Sequence, residues 1–90
     1  MSLHQIEYFV AIAEEGSLRG AAERLHVSQP PLTRHLRALE DELGTPLFER
    51  TSKGVTLLPE GEVFLRHARR VLSSIDAAVE AVRDLKTSAD

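Results

Sequence analysis

The twenty residues from Ala21 to Glu40 constrain this 90-residue chain more than any other segment. Ala21, Ala22 and Leu25 close a short helical pattern, His26-Val27-Ser28 interrupts it, and a second pattern opens on Gln29-Pro30-Pro31. At 100° per residue, Leu32, Leu36, Leu39 and Leu43 fall on one narrow stripe, while Pro30, Arg34 and Arg37 cluster opposite, with Thr33 at their edge. Two helices joined by so short a break form a helix-turn-helix, whose second helix has the shape of a major-groove reader. From His26 to Ala38 there are two arginines, two histidines and no carboxylate, whereas Glu40-Asp41-Glu42 crowd the far end. That polarity suits docking by the N-terminal half of the helix. The competing reading of the charge pattern alone is a set of solvated helix faces.

The prolines bear on the chemistry of this end. A serine N-cap accepts from the N–H of the second or third helical residue, and prolines there have none to give. Either Gln29 is the cap and Pro30 takes the favoured first position, or Ser28 caps nothing. In both cases the Ser28 hydroxyl is left for an external partner such as a phosphate. The proline rings offer CH₂ surface suited to thymine methyl groups. The plainer alternative is that prolines simply start helices.

Upstream, Leu3, Ile6, Phe9, Val10 and Ala13 predict an amphipathic helix over about residues 3–15, ended by Gly16. Ser17 is placed to cap the next helix, with Leu18, Ala21, Ala22 and Leu25 as its buried stripe and Val27 as an apolar plug below the turn. Gly44 stops the third helix. Pro46-Leu47-Phe48-Glu49-Arg50 and Val55-Thr56-Leu57-Leu58 read as two short strands around Thr51-Ser52-Lys53-Gly54, Gly54 supplying a positive φ. An isolated ribbon is marginal, so it must pack through Leu47 or Phe48 and Val55 or Leu57. This is a wing, with Lys53 near its tip.

A last helix starts at Pro59, with Glu60 and Glu62 in its first turn complementing the helix dipole. Phe64, Ala68, Val71, Ile75, Ala78, Val82 and Leu85 step alternately by four and three, flanked by Leu65, Leu72 and Val79. Some 27 residues of helix span roughly 40 Å. The preceding 58 residues cannot cover so long a stripe, which predicts a dimerisation helix using Phe64, Ala68, Val71, Leu72, Ile75, Ala78, Val79 and Val82. The alternative is a helix packed lengthwise on its own domain. Lys86 to Asp90 is expected to fray. The fold class is mainly α: three helices and a two-stranded wing over 1–58, then a linker helix over 59–90.

Bulk composition narrows the functions. With a formal charge of −3, the chain is not an indiscriminate nucleic-acid coat. It has no cysteine, which removes disulfides and thiolate metal sites, and a reducing, cytoplasmic setting is expected. No secretory signal opens the sequence, and nothing approaches the roughly 20 apolar residues a membrane helix needs. His4, His26, His35 and His67 lack metal-ligand spacing and read as surface or hinge residues. No Gly-rich phosphate loop is present, and neither an enzyme nor a cofactor is expected.

The chain resembles the N-terminal DNA-binding domain of the LysR-type bacterial transcriptional regulators. The resemblance runs through Tyr8-Phe9-Val10, Ala13, Gly16-Ser17, Ala21-Ala22, Leu25, Val27-Ser28-Gln29, Leu39-Glu40, Leu43-Gly44, Leu47-Phe48-Glu49-Arg50, Gly54-Val55-Thr56-Leu57 and Gly61. It implies a winged helix-turn-helix, a linker helix pairing antiparallel with a second copy, and recognition of an interrupted, A·T-containing palindrome near a promoter. Pro31 is similar to the subgroup controlling degradation of aromatic compounds, where other members often carry alanine. Carried over position by position, Gln29, Pro30, Pro31, Thr33 and Arg34 are assigned to base edges, with Arg34 taking guanine or a phosphate and Gln29 suiting adenine. Ser17, Ser28, Arg37, Arg50, Ser52 and Lys53 are assigned to phosphates or a neighbouring groove. Leu58 stands where members carry a threonine N-cap, so a frayed or shifted start of the last helix is expected. Family members continue into an effector-binding domain. The sequence ends at Asp90 without one, so an inducer and tetramer formation are expected only of that further domain. The rival reading is a winged-helix module that binds protein.

Overall fold

The computed structural model describes residues 1–89. The elements run α1 (Leu3–Glu15), α2 (Leu18–Leu25), α3 (Gln29–Leu43), β1 (Phe48–Thr51), β2 (Gly54–Leu57) and α4 (Pro59–Ala89). This is a winged helix-turn-helix followed by a long helix.

Helix ends follow from local chemistry. Ser2 caps α1 by accepting the Gln5 N–H while the Gln5 side chain accepts the Ser2 N–H, a reciprocal capping box. Gly16 closes α1 in the left-handed conformation, φ 72°, and its N–H donates to the Ile12 carbonyl at 2.9 Å. Ser17 Oγ accepts the Gly20 N–H at 2.9 Å and starts α2. His26 ends α2, also left-handed with φ 57°, a conformation uncommon outside glycine. Ser28 is the N-cap of α3 by backbone geometry, yet its side chain makes no capping bond. Of the two alternatives for this end, the second holds.

The core collects one face from each element. Phe9, Ile12, Leu32, Leu39 and Leu47 are the largest fully buried side chains. Phe9 is central, its ring 5.3 Å from Phe48 and 5.1 Å, edge-on, from Phe64. A fully buried side chain of this kind contributes about 1.5–3 kcal/mol relative to an exposed one. Ala21 and Ala22, both buried, let α2 lie close to its neighbours. Val27, Val55 and Leu57 pack against the core from its edge. Two residues expected in the core are not: Leu3 is 48% and Leu43 37% exposed. Each occupies the terminal residue of its helix, and Leu43 faces an open cleft shared with Thr45, Leu47, Val63, Phe64 and His67.

β1 begins at Phe48 rather than at the expected Pro46. β1 and β2 pair antiparallel, with Phe48 opposite Leu57 and Thr51 opposite Gly54. Leu47 lies outside the ribbon because its N–H is taken by the Glu40 carboxylate at 2.6 Å. The Glu40 carbonyl also accepts from Gly44 and Thr45, at 2.8 and 3.2 Å. One acidic residue thus holds the turn from α3 towards the wing.

α4 starts without fraying despite Leu58. The Leu58 N–H donates to the Leu47 carbonyl at 3.0 Å, and its own carbonyl accepts from Glu62 at 2.9 Å. The helix extends through Ala89, past the expected fray at Lys86, with the Thr87 hydroxyl bonding back to the Arg83 carbonyl. Its 31 residues span about 46 Å. The expected pairing seam divides. Phe64, Ala68 and Leu72 pack on the domain's own core with Leu65, and Ala68 is only 2% exposed. Val71, Ile75, Val79, Val82 and Leu85 remain exposed, Val82 at 69% and Leu85 at 74%. The first turns of α4 therefore complete the head, and the rest extends beyond it.

Candidate nucleic-acid interface

The amphipathic α3 turns Leu32, Leu36 and Leu39 into the core, which sets the opposite side outwards. Gln29, Pro30, Arg34 and Arg37 are exposed there, while Pro31 and Thr33 are half-buried at the edge. Pro31, Arg34, His35, Ala38 and Gln5 of α1 line a shallow depression of about 300 Å³. His35 is half-buried with its ring edge-on to Tyr8, centroids 5.0 Å apart at 84°. It therefore braces α3 against α1, a packing role in place of the surface or hinge role read from the sequence.

The cations divide into two groups. Arg24 reaches Glu14 at 2.8 Å and Glu15 at 3.3 Å, Arg69 reaches Glu14 at 3.1 Å, and Arg19 reaches Glu23 at 3.3 Å. The hydrogen bond from Arg24 is the chief reason the Glu14 carboxyl titrates below its ordinary range, with Arg69 reinforcing it against partial desolvation. Arg24 is correspondingly raised by Glu14. By contrast, Arg34, Arg37, Arg50 and Lys53 have no carboxylate partner among the described residues. Arg66, Arg70, Arg83 and Lys86 of α4 are likewise unpaired among the described residues, so what distinguishes the cations of α3 and the wing is their place beside the exposed face of α3.

The remaining assigned residues surround α3. Ser28 lies at its exposed start, with no intrahelical partner for its hydroxyl. Ser17 uses its oxygen to cap α2, leaving the hydroxyl proton to donate outwards. Ser52 and Lys53 form the exposed wing tip, where Thr51 Oγ1 accepts the Lys53 N–H at 3.2 Å. Arg50 is exposed on β1. Among the described residues there is no group of three or more His, Asp or Glu side chains placed to hold a metal ion. No described helix is long and apolar enough to cross a membrane.

Residues 3–62 match the family model described as "Bacterial regulatory helix-turn-helix protein, lysR family". The chain belongs to the LysR family. Its members ClcR, TfdS and BenM are named as HTH-type transcriptional regulators. The regulator ClcR of Pseudomonas putida is 56% identical over 72 residues, covering 80% of this chain and 24% of ClcR. TfdS of Cupriavidus pinatubonensis is 52% identical over 87 residues, covering 92% of this chain and 30% of TfdS. The chain thus spans about a quarter to a third of the length of these relatives. Among solved structures, the CbnR DNA-binding domain in complex with DNA superposes with a TM-score of 0.88 at 45% identity, over 94% of this chain and 98% of that one. The BenM DNA-binding domain with catB site 1 DNA gives 0.90 at 42% identity, over 94% and 96%.

Proposed function

We propose that this LysR-family chain binds double-stranded DNA sequence-specifically as a homodimer, in the bacterial cytoplasm. The observation that carries this reading is the pair Arg34 and Arg37, exposed and without carboxylate partners on a helix anchored by Leu32, Leu36 and Leu39. α3 enters the major groove, where Gln29, Pro30, Pro31, Thr33 and Arg34 meet base edges. Ser17, Ser28, Arg37, Arg50, Ser52 and Lys53 hold phosphates or the adjacent groove. Residues 1–58 form the DNA-reading unit, and 59–90 the pairing helix whose first turns also complete the core. Pairing uses Val71, Ile75, Ala78, Val79 and Val82, which have no partner within the chain. A two-fold dimer then faces an interrupted palindrome. An inducer and tetramer formation belong to the larger effector-binding region that accompanies such domains in the family.

The experiment is a binding titration with duplexes selected from a random pool. Arg34→Ala weakens specific binding by about 1–3 kcal/mol and relaxes base preference at one position. Lys53→Ala weakens all sequences alike and lowers the salt dependence. A silent Arg34→Ala, or the absence of any specific complex, would move the assignment to a protein-binding module.

A further inference from the structure

The wing is too small to hold its own place. Its strands have four residues each, and a two-stranded ribbon alone is marginal. Yet it is tied across the fold close to its turn: the Val55 N–H donates to the Gly16 carbonyl at 3.0 Å, at the corner between α1 and α2. Gly54, immediately before it, has φ 137°, and a Cβ there would lie 2.3 Å from the same Gly16 oxygen and 3.7 Å from Ser17 Cβ. Contacts that short with a backbone oxygen force a displacement. Ser17 is itself fixed by capping α2 through Gly20. Gly16, Ser17, Gly20 and Gly54 thus lock β2 onto the start of α2.

We propose that this corner, and not the hairpin turn, sets where the wing meets the duplex, and that Gly54 is the positioning residue. Lys53 is one residue from Gly54, so any shift that opens the corner moves the tip cation directly. Ser17 lies on the other side of the same contact. The wing tip and the start of α2 are therefore one rigid unit, and they reach the DNA in a fixed relation to α3. The inference rests on the reading that Lys53 contacts DNA and adds how that contact is placed.

Gly54→Ala, Lys53→Ala and the double variant are titrated between 50 and 200 mM salt, against a duplex selected from a random pool and a scrambled control. Lys53→Ala removes one phosphate contact per protomer, so for the dimer it reduces the slope of log K against log salt by about 1.8. Gly54→Ala reduces it by the same amount or more, leaves the ratio of selected to scrambled binding unchanged, and makes Lys53→Ala silent in its background. A wild-type slope for Gly54→Ala, or additive losses in the double variant, overturns the proposal. A wild-type slope for Lys53→Ala instead removes the wing contact itself, and the proposal with it. Amide exchange on the unaltered chain decides the matter should Gly54→Ala fail to fold. The Val55 amide, bonded to Gly16, is expected to be protected like those in the middle of α1, and far better than the exposed Ser52 amide at the turn. Equal exchange at Val55 and Ser52 overturns the anchor.

Discussion

Replacing Glu40 by alanine tests how the reading helix is coupled to the wing. The Glu40 carboxylate accepts the Leu47 N–H at 2.6 Å, and the Leu47 side chain is buried in the core. Removing the acceptor leaves a half-sheltered N–H unpaired where the chain enters the wing. A hydrogen bond to a charged group contributes about 1.5–3 kcal/mol. Glu40 is only half-buried, so water recovers part of this and the lower end applies. Alanine also returns a few tenths of a kcal/mol through helix propensity. The expected loss is about 1.2 kcal/mol, which lowers Tm by roughly 5–10 °C in a domain of this size. Glu40→Gln keeps a neutral acceptor at the same reach, and about half the loss is expected. Urea denaturation at one fixed protein concentration, with coincident m values, measures both variants. A change below about 0.5 kcal/mol for Glu40→Ala, or equal losses for the two variants, would show that the bond does not stabilise the turn.

Two further predictions concern charge and pairing. Because the Glu14 carboxyl is held low chiefly by Arg24, its stabilisation is present above the ordinary glutamate range and disappears as pH falls through the depressed folded value. Glu14→Gln is therefore destabilising near pH 7, the difference shrinks as pH falls through the depressed folded value, and a pH-independent difference in urea midpoints would contradict the ion-pair account. Ile75→Asp places a charge in the apolar seam of α4, and sedimentation equilibrium is expected to find monomer where the unaltered chain is dimeric. Identical sedimentation of the two would remove α4 as the pairing surface.

Much of the head was legible because its signals are local. Gly16, Ser17 and Gly44 mark helix boundaries through backbone conformation and capping, which depend on immediate neighbours. Leu32, Leu36 and Leu39 were readable as a stripe for the same reason. Leu3 and Leu43 mark where this fails, since periodicity reports a face but not whether another element reaches its end. The α4 stripe concealed a division of a similar kind. It is continuous in sequence, yet Phe64, Ala68 and Leu72 pack on the core while Val71 and Val82 stay exposed. No residue marks that change of partner. Glu40 sits in an acidic run that reads as solvated surface, and only the fold brings Leu47 to it. Glu14 joins Arg24 and Arg69, 10 and 55 residues away, and spacing alone could not have paired them. The approach of Gly54 to Gly16 was hidden likewise, although the demand for positive φ at Gly54 was not.

The length of α4 beyond its last packed turn makes it a mechanical lever. From residue 73 to 89 it extends about 25 Å past Leu72, so a tilt of 10° at that fulcrum swings its tip by roughly 4 Å. Among the described residues the one ion pair that ties α4 to the rest of the fold is Arg69–Glu14, in reach of solvent. A small displacement at the last packed turn is thereby multiplied into ångström-scale travel at the far end.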